Sequence, residues 1–216
     1  MYKKIVYVLA GCGLLIGASH DLYNKGIKEN ALQNPQTQIS NPYIPKIGPF
    51  GWITLLSEDF ESGVIPSNWT VIDGNNDGIK WTAGTTSNLG NYTPPNYGTA
   101  YAYYSDDDAG NNVINYNEEL WTPAINVSGM TQLKFKYSYG FQVFETGEKY
   151  RTHFRKKVGG SWTDWQELKV YTQSASGIDS FDLTNQLPCD SIQFRFFYSG
   201  FKSLLHIGDG HVEQIM

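Results

Sequence analysis

The sequence predicts an all-β fold, a jelly-roll β-sandwich of two antiparallel sheets, and three observations carry that prediction. Aromatic residues (15 Tyr, 11 Phe, 6 Trp) make up 15% of the chain against 17% charge, a balance that suits half-buried pleated surfaces. Leu133, Phe135, Tyr137 and Tyr139 alternate with Lys134, Lys136 and Ser138, the period of two that marks a strand with one buried face. About ten strand-like runs follow one another at roughly 8–12-residue spacing, with no amphipathic helical period between them.

The 216 residues hold one domain of ordinary size plus extensions. Residues 1–19 read as a secretory signal peptide. Lys3 and Lys4 precede an apolar run from Ile5 to Ala18, which gives way to Ser19-His20-Asp21. The run is shorter than the roughly 20 apolar residues of a transmembrane helix. Cleavage near Ser19 removes two lysines and takes the net charge from −5 to −7 (−5 − 2). A competing reading starts from Leu9-Ala10-Gly11-Cys12, which resembles a bacterial lipobox and would put a lipid anchor on Cys12. The apolar run continues past Cys12, so ordinary export is preferred. The negative charge argues against nucleic acid as a partner, which usually meets a basic face. Cys189 is left with no second cysteine after cleavage, so the core must supply the stability, and the residue reads as packing.

Residues 20–51 are polar and rich in Asn, Gln and Pro, with no sustained period, and read as a flexible linker. The folded part is expected over 52–216. It opens on Trp52-Ile53-Thr54-Leu55 and Leu56-Ser57-Glu58-Asp59-Phe60-Glu61, a strand ending in acids. A Gly/Pro turn leads to a second strand at Thr70-Val71-Ile72. The loop Asp73-Gly74-Asn75-Asn76-Asp77-Gly78 and Trp81 then close the unit. Further strands are expected at 97–104, at 119–125 with Pro123 on an edge, at 133–139 and at 178–183. Residues 192–197 and 204–215 give two more. Asp106-Asp107-Asp108-Ala109-Gly110 reads as a loop. Residues 150–157 and 162–171 form a hairpin around Gly159-Gly160, whose paired glycines supply the positive φ angles of a tight turn.

With these elements in order, the chain resembles the cleaved-adhesin domains, the modules of gingipain haemagglutinin regions and related choice-of-anchor domains. The resemblance rests on Leu56-Ser57-Glu58-Asp59-Phe60-Glu61, Pro66-Ser67-Asn68-Trp69, the Asp73–Trp81 loop and Leu120-Trp121-Thr122-Pro123-Ala124-Ile125. Val127-Ser128-Gly129-Met130, Phe181-Asp182-Leu183 and the 192–200 stretch agree with it. It implies a jelly roll related to MAM domains, often with structural calcium, outside the cell and linked to adhesion. The chain departs from the family at Ile207-Gly208-Asp209-Gly210-His211-Val212, where an Ile-Asp-Asp-Val-like closing strand is usual.

Calcium takes six to eight oxygen ligands, and three acidic groups offer carboxylates. Asp106, Asp107 and Asp108 repel one another unless a cation neutralises them, which makes them metal candidates together with Glu58. Asp209 joins that set by resemblance only. Asp73-x-Asn75-x-Asp77-Gly78 matches the first half of an EF-hand loop, but position 12 of the frame is Gly84 and no helices flank it. Turn chemistry accounts for that loop. His206, Asp209 and His211 supply too few ligands for zinc. No Gly-x-Ser-x-Gly elbow is present, and the four histidines lack an evident nucleophile. Tyr92, Tyr97, Tyr104 and Tyr116 surround the acidic loop and are candidate ligand-binding rings, although a strand hides every second residue. The leading expectation is a secreted or cell-surface, non-catalytic adhesion module binding an extracellular glycan or protein. The alternative is an accessory domain of an exported peptidase or glycosidase.

Overall fold

The computed structural model describes residues 7–19, 52–85, 98–109, 115–144 and 146–201. The expected linker and the expected last strand at 204–215 lie outside them. The fold is all-β, and every strand pairing among the described residues is antiparallel.

One sheet is curled into a half-barrel. It contains β1 (Tyr7–Ser19), β2 (Trp52–Leu56), β4 (Thr82–Thr85), β5 (Ala100–Tyr104), β8 (Gln132–Phe141) and β12 (Ala175–Asp182), in the order β12-β8-β1-β5-β4 with β2 also on β1. The second holds β3 (Thr70–Asp73), β6 (Asn115–Trp121), β7 (Ile125–Asn126) and β9 (Lys149–Val158). It also holds β10 (Ser161–Trp162), β11 (Gln166–Tyr171) and β13 (Ser191–Phe201). The opening stretch thus crosses between sheets: β2 joins the first and β3 the second. Trp69 lies edge-on to Phe60 with centroids 5.3 Å apart. Trp81 is buried and donates to the Glu118 carbonyl at 3.2 Å.

Alternation sets the core. Leu133, Phe135, Tyr137 and Tyr139 of β8 are buried, and so are Ile192, Phe194, Phe196 and Tyr198 of β13. The two rows meet ring on ring. Phe135 stacks on Phe194 at 3.8 Å, and Tyr137 lies edge-on to Phe196 at 5.2 Å. The hairpin turns where the glycine pair predicts, with φ +58° at Gly159 and +85° at Gly160.

The run at 119–125 is not one strand. Pro123 has no N–H to give to a ladder, so β6 stops at Trp121 and β7 resumes at Ile125, both against β13. Thr122 stitches the gap. Its amide donates to the Phe194 carbonyl and its hydroxyl accepts from the Phe194 amide, both at 3.0 Å. Asp106–Ala109, expected as a loop, is a single 3-10 turn. Residues 7–19, read as an export signal, here form the strand between β5 and β8.

Candidate functional site

The acidic residues act first on their own turns. Glu58 accepts the Phe60 amide at 2.7 Å, and Asp59 accepts the Glu61 amide at 3.1 Å. Glu61 accepts the Thr99 amide at 2.7 Å and the Thr99 hydroxyl, tying this turn to the start of β5. The Thr99 hydroxyl, then the Thr99 and Ala100 amides, hold the Glu61 carboxyl below the usual carboxylate range. The Asp73 loop closes on itself as its turn chemistry predicts. Asp73 accepts the Asp77 and Gly78 amides at 3.2 and 2.8 Å, and Asp77 accepts the Ile79 amide at 2.7 Å. Gly74 is required there, because a Cβ would lie 2.0 Å from the Asn117 carbonyl oxygen.

Asp106 is buried and Asp108 exposed. The Asp107 side chain and all of Asp209 lie outside the described residues. Among the described residues, no group of three His, Cys, Asp or Glu side chains is gathered that could hold a metal ion. The acid that the sequence did not single out is Glu118 on β6, fully buried. Burial foremost, then the nearby charges of Asp73 and Asp77, pushes its carboxyl up to about 7, against the pull of the Asn117 amide.

The tyrosines fall differently from expectation. Tyr92 and Tyr97 lie outside the described residues. Tyr104 and Tyr116 offer no exposed ring, being 0% and 3% accessible. Their rings pack with Tyr198 of β13, which faces Tyr104 across the sheets at 5.1 Å and neighbours Tyr116 within its own sheet at 5.8 Å. Alternation along β6 turns Tyr116 inward, whereas every residue of β5 is buried, Tyr104 included. Cys189 is buried in the same core, as a packing residue would be.

A different cluster lies on the outward positions of the second sheet. Arg155 of β9 places its guanidinium 5.0 Å from the Trp121 ring, 4.8 Å from Trp162 and 4.6 Å from Trp165. Arg195 of β13 lies 4.8 Å from Trp165 and 5.0 Å from Phe197, and Arg151 lies 5.4 Å from Phe197. Trp121 meets Trp165 edge-on at 5.2 Å. Carboxylates at the margins complete the array. Glu119 pairs with Arg195 at 3.2 Å and accepts the Trp121 indole N–H at 2.5 Å, and Glu167 lies 3.6 Å from Arg151. Gln193 accepts both Nε and a terminal nitrogen of Arg155, at 2.9 and 2.7 Å.

The cations are thus interleaved with the rings, and the three tryptophans are half-buried. Cation–π contacts of this kind are worth about 0.5–2 kcal/mol each, the larger values where water is excluded. On the same face, His153 of β9 is buried beside Arg195, its cross-strand partner, and near Arg151. Burial first, then those two charges, pushes its imidazole down to about 4, so it stays neutral. Sequence reading missed this array because its members come from residues 121, 155, 162, 165 and 195. The one local signal was Phe197 standing among the outward residues Gln193 and Arg195.

Residues 53–189 match the family model described as Cleaved Adhesin Domain. No curated protein and no solved structure matches the chain.

Proposed function

The chain belongs to the Cleaved Adhesin Domain family, and from that premise we propose that it is an exported, non-catalytic recognition module whose outer tryptophan–arginine face docks an extracellular protein. The array carries this reading. Interface hot spots are enriched in Trp and Arg, and here both are already ordered by mutual contact, so docking immobilises few free side chains. A protein suits the face better than a sugar ring. Guanidinium groups of Arg155 and Arg195 already lie over the indoles that a sugar would stack on. The accessory-hydrolase alternative has no observation of its own among the described residues.

The test is binding of the immobilised chain to purified matrix proteins and to a glycan panel. Trp162 sits at the edge of the array, on the two-residue strand β10. Trp162→Ala is expected to weaken capture of the matrix ligand about 30-fold, a hot-spot loss of roughly 2 kcal/mol, with the thermal midpoint little changed. Binding that is confined to glycans, or that ignores Trp162→Ala, overturns the reading.

The same proposal gives the module a jelly-roll fold stiffened by calcium, with Glu58, Asp106, Asp107, Asp108 and Asp209 as ligands. The crowding of three consecutive acids supports it, since like charges favour a cation. A cation bound only by the folded form stabilises it by about 2.7 kcal/mol at a hundredfold excess over its dissociation constant. Melting should rise with added calcium and fall with chelator, and Glu58→Gln should blunt both. Asp73→Asn, in the self-closed loop, should leave both responses intact. A midpoint indifferent to millimolar calcium removes the metal from the proposal.

A further inference from the structure

We infer that the partner docked by the tryptophan–arginine face is an acidic protein segment in extended conformation, and that one of its carboxylates seats on Arg155. The inference rests on the docking reading above and deepens it to the chemistry of the partner.

Charge points that way first. Side chains alternate along β9, so the row opposite the buried Tyr150, Thr152 and Phe154 is Lys149, Arg151, His153, Arg155 and Lys157. Arg195 stands beside this row on β13, opposite His153. The carboxylates at these positions are Glu119 of β6, opposite Phe197, and Glu167 of β11, opposite His153. With His153 neutral, five cations meet two anions, an excess of three positive charges (5 − 2). The whole chain carries −5, so the face is opposite in sign to the molecule that bears it. Such a patch steers a negatively charged partner towards itself.

One cation of the face has no anion of its own. Arg195 has Glu119 at 3.2 Å, and Arg151 has Glu167 at 3.6 Å. Arg155 makes no ion pair among the described residues. Its Nε and one terminal nitrogen donate to the uncharged amide oxygen of Gln193. Its other terminal nitrogen, Nη1, makes no hydrogen bond among the described residues. Burial, then the Arg195 charge, works against the Arg155 cation, and an anion seated there offsets both. The residue is half-buried, not sealed.

The chain itself shows how a carboxylate fits among these groups. One oxygen of Glu119, Oε2, accepts the Trp121 indole N–H and also pairs with Arg195. Arg155 is surrounded by the same two kinds of donor. Beside its own Nη1 lie Trp162 and Trp165, whose indole N–H groups make no hydrogen bond among the described residues. A carboxylate brought by a partner repeats the Glu119 arrangement there.

Spacing selects a protein segment over a sulfated sugar. Alternate residues of a strand lie about 6.8 Å apart, which separates Lys149 from Arg151 and Arg155 from Lys157. An extended acidic segment laid along β9 presents its own alternate carboxylates at the same interval.

The test uses the full chain and three probes: labelled deca-glutamate, deca-glutamine and heparin, read by anisotropy at pH 7. Deca-glutamate is expected to bind at least about tenfold more tightly than deca-glutamine, and to weaken as salt rises from about 50 to 300 mM. Arg155→Gln should weaken it about tenfold. Arg155→Lys, which keeps the charge and loses the planar fork, should fall between. Lys134→Gln removes a positive charge from the exposed face of the first sheet and should change nothing. Lys157→Gln, expected to cost about threefold, keeps the inference testable if Arg155→Gln does not fold. Equal binding of deca-glutamine, equal losses in Lys134→Gln and Arg155→Gln, or binding of heparin without deca-glutamate overturns the inference. So does capture of a matrix protein that falls in Trp162→Ala but ignores both Arg155→Gln and salt, an outcome that leaves the docking reading standing. Capture indifferent to Trp162→Ala, with deca-glutamate binding still lost in Arg155→Gln, overturns the docking reading alone.

Discussion

Phe194→Ala is expected to destabilise the folded chain by about 4 kcal/mol, the cost of deleting a phenylalanine from a packed core. Phe194 is 0% exposed and stacks on Phe135 at 3.8 Å and 16°, so its ring is the contact where the two sheets meet. Neither sheet can close over the void without moving the other, because Phe135 also touches Phe181 and Phe196. The backbone at this point is held separately by Thr122, so the loss is one of packing. Domains of this size are stable by about 5–15 kcal/mol. The substitution should therefore leave a marginal fold whose urea midpoint falls sharply at unchanged slope. Phe197→Ala, on the outward face of the same strand, should cost much less. Similar midpoints for the two variants would mean that the sheets do not share this core.

The second large effect is in pH dependence, where two buried groups oppose each other. Folding raises the Glu118 carboxyl from its ordinary 4.5 to about 7 through burial. The folded state therefore holds a proton that the unfolded chain has released. Stability from this group is present below about 4.5 and is lost as pH rises through 7. Folding lowers the His153 imidazole from 6.5 to about 4, through burial and then the charges of Arg195 and Arg151. Stability from this group is present above 6.5 and is lost as pH falls towards 4. Each shift is worth roughly 3 kcal/mol at full extent.

Between pH 4.5 and 6.5 the two slopes have opposite signs and offset one another. Glu118→Gln removes one of them. Its urea midpoint should fall steeply on acidification from pH 7 to 4.5, as the unfolded chain takes up a proton on His153 that the folded state does not bind, without compensation. His153→Gln should do the reverse and gain stability over the same interval. Parallel pH profiles for both variants and the parent chain would show that neither group is held as its burial implies.

Much of this molecule is written in short stretches. The alternation in 133–139 and 192–197 identifies β8 and β13 and their buried residues. Gly159-Gly160 marks the hairpin, and the Asp73 loop carries its own hydrogen-bond partners. These are local properties, because side chains one or two positions apart along a strand have fixed relative directions. The class of fold and the family follow from them. What stands opposite what does not follow. Strand order and register decided that Tyr104 and Tyr116 turn into the core with Tyr198, and that Glu118 is shut in beside Asp73 and Asp77. They also decided that Arg155, Arg195 and three tryptophans drawn from residues 121–165 form one face. A period of two tells each residue which side of its own strand it occupies, while its neighbours across the sheet are chosen by pairings between segments far apart in the chain, and only the tertiary structure makes those pairings.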